Sequence, residues 1–443
     1  MVKLSQQNSS ASFLYLLLNL SFLTFEKALK LGAFLIINIT LARQFGPEKF
    51  GEISFLIAIA GLLLPFTHAG LHGLLVRELI TYPGKEKEIL TSAISIRLVG
   101  STLSTMGFWL FSNFSPYFST NEQLLILLLL AGNGFSSFHV IDYFFQSRRN
   151  FKLTALLRSI ITIFFTAAKL YVAIFKPSVI GILIIYATEN TILAFGYIFL
   201  TWKSKLVLTF RNFSLQRTVS LFKKCHWLIL SGAAAAVNLK IDQTMLKFMA
   251  SNTEVGIYSA AAQLSESWYF LPTAAMTILL PSLISTKKEN PQQYQYKLQN
   301  ISDQLFIFSL LIAITITISA PFLLPLLFGE SYLGSIAIIQ IHIWAGLFIS
   351  MRALLSKWII TEELLYFSLV SQLLGAFANI AINYHLIPET GAMGAAKATV
   401  ISYAISSYLC LFLNKKTLPI AKIMTLSLLS PLRIPLNHLF NKG

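Results

Sequence analysis

Lys240 and Asp242 are charged residues inside a largely apolar stretch of the sequence, 220–249. On a helix, residues two positions apart point in different directions, so the two side chains cannot neutralise each other. Each therefore needs a partner from another segment or a water-filled cavity. In such a cavity an ammonium group binds an anion, and a carboxylate binds a cation or a basic side chain.

Other charged residues also lie deep in apolar stretches. Glu26 and Lys30 are one helical turn apart, which allows either a mutual ion pair or a role in transport. Lys169 lies in the outer third of its stretch, and we expect it to snorkel to the surface. The remaining deep charges are Arg97, Glu189, Glu266 and Arg352.

Lys and Arg outnumber Asp and Glu among these positions, and this bias indicates the chemistry. Cations in a low-dielectric cavity suit an anionic group such as a diphosphate. The candidate substrate-binding cations are Lys30, Lys240 and Arg352. The candidate ion-coupling carboxylates, able to take up H⁺ or Na⁺, are Glu26, Asp242 and Glu266.

The sequence predicts neither a metal site nor a catalytic residue nor a cofactor. His68 and His72 are one turn apart, but no further ligands accompany them, so polar lining or a packed pair is the better interpretation. The two cysteines, Cys225 and Cys410, both fall on the side predicted to be cytoplasmic, where a disulfide is not expected.

Twelve stretches are long and apolar enough to cross a bilayer as helices, which predicts an all-α integral membrane protein. They are 12–42, 51–76, 90–112, 122–146, 153–175, 178–202, 220–249, 254–281, 301–328, 333–358, 362–387 and 391–413. Hydrophobic residues form 55% of the chain and charged residues only 12%. The short connectors leave no room for a soluble catalytic domain.

The net charge of +16 is a signal of topology, not of nucleic-acid binding. If both termini are cytoplasmic, the inner connectors and tails hold 22 Lys and Arg residues and the outer connectors hold three, Arg43, Lys49 and Lys176. This asymmetry follows the positive-inside rule. Attraction of the cytoplasmic face to anionic membrane lipids is a secondary consequence.

The longest inner connector divides the chain near its middle. We predict a six-helix lobe over 1–202, a linker over 203–219, a second six-helix lobe over 220–413, and a basic cytoplasmic or interfacial tail over 414–443. A faint repeat supports two halves, because Gly51-x-x-Ser54 and Gly256-x-x-Ser259 each begin a helix and are each followed by a proline. The helix-breaking residues Pro65, Gly70 and Gly73 indicate either a kink or a moving hinge.

Several segments resemble the Wzx-type polysaccharide flippases of the multidrug/oligosaccharidyl-lipid/polysaccharide (MOP) exporter superfamily. The resemblance covers essentially the whole chain in order, although no single motif is decisive. The segments that carry it are Leu41–Gly51, Gly70–Leu79, Lys240–Leu246, Glu254–Ala261, Leu264–Glu266, Pro281–Leu283 and Asn379–Tyr403. One departure is Lys397, where the family usually has an apolar residue.

The resemblance implies two lobes around a central cavity that opens alternately to each side. It implies that undecaprenyl-diphosphate-linked oligosaccharide is moved from the inner to the outer leaflet of a bacterial inner membrane, driven by an ion gradient. Lys240, Asp242 and Glu266 would then line the second lobe, and Arg77 would lie at the inner mouth as a further substrate-binding cation. A polysaccharide polymerase and a chain-length regulator are the expected protein partners.

Three other functions can be weighed against the sequence. A multidrug or cation antiporter of the same fold would need a site richer in carboxylates and aromatics than in cations. A membrane polymerase, ligase or glycosyltransferase acting on lipid-linked sugars would need a sizeable outer loop or loop-borne catalytic residues, and the connectors provide neither. A purely structural scaffold would not need the deep charges.

The charge distribution predicts twelve crossings with both termini in the cytoplasm. Reporter fusions should place three sites inside, Arg148, Arg211 and Lys287. They should place six sites outside, Gly46, Ser115, Lys176, Asn252, Glu330 and Glu389. An outside position for Arg211 would contradict both the charge argument and the division into two lobes.

Overall fold

The computed structural model describes residues 9–148, 150–204, 206 and 208–433, and within them it contains helices and no strand. This confirms the all-α prediction. The helices of the first half are α1 (Ser9–His68), α2 (His72–Thr81), α3 (Glu86–Phe114), α4 (Thr120–Phe135), α5 (Ile141–Ser147), α6 (Phe151–Phe175), α7 (Val179–Lys203) and α8 (Leu215–Met249).

The helices of the second half are α9 (Asn252–Glu266), α10 (Phe270–Glu289), α11 (Pro291–Phe328), α12 (Ser335–His342), α13 (Ala345–Thr361), α14 (Leu365–Thr390), α15 (Ala392–Ser407) and α16 (Leu418–Leu428). Short 3₁₀ segments join α4 to α5 and follow α15. Several predicted crossings therefore consist of two helical pieces.

The described residues contain ten helical stretches that are long and apolar enough to cross a membrane. The first of them, Phe25–Thr81, is 57 residues long and breaks at Gly46, so it supplies two crossings. Helix α8 is more polar and is not among the ten, but its 35 residues exceed the ~20 that a crossing requires. Counted in this way, the fold agrees with the predicted number of about twelve.

Glycine and proline divide the first long helix. Gly46 has φ 71° and ψ 172°, a conformation that only glycine adopts readily, and Pro47 follows at the start of the next helical arm. A second break lies between α1 and α2, where Ala69 (φ 53°) and Gly70 (φ 58°) are both left-handed. Within Pro65–Gly73 the structure shows a full break between two helices. The break places His68 at the end of α1 and His72 at the start of α2.

Polar side chains cap the N-termini of several helices. Ser119 and Glu122 form a reciprocal capping box at the start of α4. Ser178 caps α7, and Ser251 caps α9. Asn290 accepts hydrogen bonds from two backbone N–H groups of α11, whose first residue is Pro291. These caps satisfy donors that the helix itself cannot satisfy.

The described residues divide into two compact units. Unit 1 comprises those of Met1–Phe45 and Ile59–Ala233, and unit 2 comprises those of Gly46–Ala58 and Ala234–Gly443. The core of unit 1 is formed by buried apolar side chains of α2, α3, α5, α7 and α8. The core of unit 2 is formed by α10, α11, α13, α14 and the 3₁₀ segment after α15.

Helix α16 also contributes to the core of unit 2. Ile420, Ala421 and Met424 are fully buried there. With 11 residues, α16 is too short to cross a bilayer. Residues 434–443 of the predicted tail lie outside the described residues.

The two segments of the sequence repeat pack directly against each other within unit 2. A Cβ added at Gly51 would lie 1.8 Å from the carbonyl oxygen of Asn252. A Cβ added at Gly256 would lie 1.9 Å from the carbonyl oxygen of Pro47. Each glycine thus allows the backbone at the start of the other helix to approach, which gives the contact a reciprocal form.

This crossing predicts that Gly256→Ala is destabilising. No flexible side chain can yield, because the atoms in the way belong to the backbone, and a misfit of this kind costs about 1–3 kcal/mol. Gly107→Ala is the matched control, since a Cβ at Gly107 meets nothing within 4 Å. The control should be neutral or more stable by up to about 1 kcal/mol in thermal unfolding, because alanine favours helix. Equal stability of the two variants would contradict the close crossing.

Candidate functional site

In unit 1, one arginine holds two buried carboxylates. Arg158 on α6 lies 3.2 Å from Glu26 on α1 (Nε to Oε1) and 2.6 Å from Asp142 on α5 (Nη1 to Oδ2). It also donates to the hydroxyl of Tyr197 at 3.1 Å, and Gln146 donates to Asp142 at 2.8 Å. Four helices are therefore joined at this point, and the two carboxylates leave the ion cluster with a formal charge of −1.

The cluster shows that Glu26 and Lys30 do not form the mutual ion pair that is one of the two alternatives from the sequence. Glu26 is 6% exposed and pairs with Arg158, whereas Lys30 one turn away is exposed. Arg158 was missed as a site residue, because an arginine near the end of an apolar stretch is expected at the interface. The signal that could have identified Arg158 was Asp142, a second carboxylate that also needed a basic partner.

Lys169 does not snorkel, contrary to the expectation from its position. It is 4% exposed, and its amine lies 2.5 Å from the carboxylate of Glu189 on α7. The same amine lies 3.7 Å from the ring centroid of Tyr186, one turn earlier on α7. The prediction failed because snorkelling assumes that no partner is available inside the membrane, and here α7 supplies both a carboxylate and an aromatic face.

In unit 2, Asp242 on α8 is surrounded by neutral donors. Its Oδ1 accepts from the amide of Asn383 at 2.5 Å, and its Oδ2 accepts from Tyr258 at 2.9 Å and Thr399 at 2.8 Å. Asp242 is 1% exposed, and no basic group pairs with it in the described part of the chain. Asn383 also donates to Asn379, so the polar contacts extend along α14.

Lys240 lies beside this network without joining it. Its side chain is half-buried, and among described residues no carboxylate lies within ion-pair distance of its amine. Its charge is nevertheless felt by Glu266 on α9 and by His342 on α12. Glu266 is half-buried, and His342 is fully buried and bonds to Ser265 through Nδ1 at 2.9 Å. Lys240, Asp242 and Glu266 are therefore neighbours in unit 2.

Two interior arginines are held by neutral acceptors only. Arg352 on α13 donates to the hydroxyl of Ser371 at 2.6 Å, to the carbonyl of Ser406 at 3.2 Å, and to Ser368. Arg97 on α3 is 1% exposed and donates to the carbonyl of Thr67 at 3.0 Å. One terminal nitrogen of Arg97, Nη1, is buried without a hydrogen-bond partner. Both guanidinium groups keep their full positive charge.

Two further residues singled out from the sequence, Arg77 and Lys397, lie at the surface. Arg77 is exposed on α2, next to the buried Glu78, which pairs with Lys224 at 2.7 Å and with Arg217 at 3.4 Å. Lys397 is exposed on α15. Cys225 and Cys410 are both free and buried. Among the described residues, no group of three or more His, Cys, Asp or Glu side chains is placed to hold a metal ion.

The predicted site residues thus fall into separate groups. Lys30, Arg77 and Glu26 belong to unit 1, whereas Lys240, Asp242, Glu266 and Arg352 belong to unit 2. Only Lys240, Asp242 and Glu266 form a local cluster. The residues that sequence reasoning missed are mostly neutral, namely Tyr258, Asn379, Asn383 and Thr399 around Asp242, together with Arg158.

Comparison with known proteins adds a family and a fold. The sequence profile of a family described as "Polysaccharide biosynthesis protein" matches residues 16–283. No curated protein sequence matches the chain.

Three solved structures show the fold. The chain is similar to lipid II flippase MurJ in an inward closed conformation, with a TM-score of 0.69, 16% identity, and coverage of 93% of this chain and 91% of that one. It is also similar to an inward-facing multidrug resistance MATE family transporter of the MOP superfamily (TM-score 0.67, 13% identity, 90% and 96% coverage). A MOP superfamily transporter from Pyrococcus furiosus matches less well (TM-score 0.56, 12% identity, 93% and 96% coverage). The fold is therefore that of MOP superfamily transporters.

The Arg158 cluster yields a prediction about stability. Arg158→Met should destabilise the protein by about 3–5 kcal/mol, because it leaves two buried carboxylates without their shared partner. Adding Glu26→Gln and Asp142→Asn should restore much of the loss. Arg148→Met is the control, since Arg148 pairs with Glu86 at the surface and such pairs are worth about 0–1 kcal/mol. Thermal unfolding of the purified protein measures all three; no rescue by the neutral pair would contradict the charge argument.

Proposed function

This chain belongs to the polysaccharide biosynthesis protein family, and on that premise we propose that it is a Wzx-type flippase. Its substrate is an undecaprenyl-diphosphate-linked oligosaccharide, such as an O-antigen repeat unit of lipopolysaccharide. It moves this substrate from the inner to the outer leaflet of a bacterial inner membrane by alternating access, and it is a transporter rather than an enzyme. A polysaccharide polymerase and a chain-length regulator act on the product at the outer face.

The observation that carries this proposal is the state of the interior cations. Arg97 and Arg352 bind neutral acceptors only, and no carboxylate pairs with the half-buried Lys240 among described residues. Retaining unpaired cations inside a membrane is costly. An anionic substrate group repays that cost, because a diphosphate offers several acceptors and a full negative charge to Lys and Arg.

The unpaired carboxylates support ion coupling. The three neutral donors around Asp242 stabilise its charge, but they do not cancel it. Uptake of H⁺ or Na⁺ would remove the net charge, and the hydrogen bonds from Tyr258, Asn383 and Thr399 would weaken or rearrange. Because these donors lie on α9, α14 and α15 while Asp242 lies on α8, ion binding would change the packing of α8 against three other helices. Glu266 is the second candidate, since no basic group forms an ion pair with it among the described residues.

A multidrug or cation antiporter is the alternative, and the similarity to a MATE family transporter favours it to the same extent as the fold favours the flippase. Such a transporter binds cationic compounds, which the unpaired Arg97, Arg352 and Lys240 would repel. The two functions make different predictions for a deletion strain. Increased sensitivity to cationic drugs with normal surface glycan would support the antiporter.

The flippase proposal predicts that deletion stops surface glycan export and leaves synthesis of the lipid-linked units intact. Complete units should accumulate on the cytoplasmic leaflet, as measured by glycan blotting and mass spectrometry of extracted lipids. Incomplete sugar units would indicate an enzymatic role instead. The deletion strain is then the host in which variants of Lys240 and Asp242 are compared.

In that host, Lys240→Ala should reduce export about tenfold or more, the loss of one charge-assisted contact of about 1.5–3 kcal/mol, while membrane protein levels stay normal. Lys240→Arg keeps the charge with a different geometry and should retain partial export. Asp242→Asn should also impair export, because it removes the exchangeable charge with little change in shape. Lys176→Ala, at an exposed loop position, is the control and should export normally. If Lys240→Ala lowers protein level and export in equal proportion, Lys240 is structural and the site is wrong.

A further inference from the structure

A long apolar groove lies on unit 1 between α1, α3 and the N-terminal half of α8. It encloses about 890 Å³ and is lined from Ser95 to Phe108 on α3, from Leu215 to Leu230 on α8, and by Leu63 and Phe66 on α1. At 1.5 Å per residue these lined stretches run for about 20 Å. The exposed apolar side chains of the lining include Leu103, Phe222 and Leu230.

The groove is lined mainly by hydrocarbon, and the hydrogen-bond donors of its few polar side chains are already in use. The hydroxyls of Ser95, Ser104 and Thr218 and the Nδ1 of His226 each donate to a carbonyl of their own helix or its start. A sugar or a headgroup would therefore find few free hydrogen-bond donors along the groove. A hydrocarbon chain loses nothing there, so the groove suits the tail of a lipid.

Small residues shape the wall that α3 contributes. A Cβ at Gly100 would lie 2.2 Å from the carbonyl oxygen of Phe66, so this glycine allows α1 to pack closely and close one side. A Cβ at Gly107 would meet nothing within 4 Å, so α3 leaves open space in the groove at this position. An elongated hydrocarbon chain can lie along this open stretch.

One end of the groove is positively charged. Leu215 and Val219 also line a neighbouring recess that contains Lys223 and Lys224. Lys224 shares the carboxylate of Glu78 with Arg217, which leaves a surplus of one positive charge. Lys223 is exposed, and no acidic side chain of the described residues pairs with it. An apolar groove that ends at unpaired cations matches a lipid with a phosphate at the head of its chain.

We infer that this groove is a loading site for the lipid-linked substrate, with the polyprenyl tail along α3 and α8 and the phosphate at Lys223. This inference rests on the proposed function and adds the place where the tail binds. The charge-based topology places the Lys223 end on the cytoplasmic side, where the substrate is made.

The test uses the full-length protein in nanodiscs and a photoreactive undecaprenyl phosphate as the probe. Labelled peptides should come from 95–108 and 215–230, and unlabelled undecaprenyl phosphate should compete while phosphatidylglycerol at the same concentration should not. Gly107→Leu places a side chain in the open space of the groove and should weaken labelling several-fold, because the added side chain occupies the volume that the hydrocarbon chain would fill. Ala167→Leu, at an exposed position on α6, is the matched control and should label normally.

Lys223→Gln separates head from tail. It should weaken labelling by the phosphate probe several-fold and leave labelling by an uncharged polyprenol probe unchanged. Equal competition by phosphatidylglycerol, or equal labelling of Gly107→Leu and Ala167→Leu, would show that the groove holds only bulk lipid and would overturn the inference. That outcome does not touch the proposed function, which fails instead if the deletion strain exports glycan normally.

Discussion

The cost of an unpaired charge inside a membrane is the constraint on which the interior of this protein depends. A helix bundle in lipid must satisfy its polar groups internally, and an isolated charge there costs several kcal/mol. The chain meets this constraint in three ways. Glu26 and Asp142 share Arg158, Asp242 is surrounded by neutral donors, and Arg97 and Arg352 rely on hydroxyl and carbonyl oxygens. Only the first of these sets opposite charges against each other, and it still leaves one negative charge.

The helices that deliver these groups are broken where the backbone must turn. Gly46 with Pro47, and Ala69 with Gly70, interrupt the first long helix, and serine or asparagine caps start α4, α7, α9 and α11. Close crossing of helices then depends on the absence of a side chain, as at Gly51 and Gly256. The same local rules therefore fix both the ends of the helices and the distance at which they pack.

Hydropathy predicted the number of crossings and their approximate ends, because the length of an apolar stretch is a local property of the sequence. It did not predict the breaks inside a crossing, such as the 3₁₀ turn between α4 and α5 or the gap between α9 and α10. Apolar residues lie on both sides of such a break, so hydropathy does not mark it. The partners of the buried charges were also out of reach. Glu26 and Arg158 are 132 residues apart, and three of the donors to Asp242 carry no charge that a search for opposite charges would find.

Asp242 in unit 2 is held differently from the buried carboxylates of unit 1, and under the proposed function this difference has a consequence. In unit 1, Glu189 is neutralised by Lys169, and Glu26 and Asp142 are tied to Arg158, so releasing any of them requires breaking an ion pair in a low dielectric. In unit 2, no basic group pairs with Asp242 among the described residues, and it bonds to groups that donate equally well to water or to one another. An ion that enters beside Asp242 has no ion pair to break. Under the proposed function, a carboxylate held by neutral dipoles can therefore gain and lose a cation during a transport cycle without breaking an ion pair.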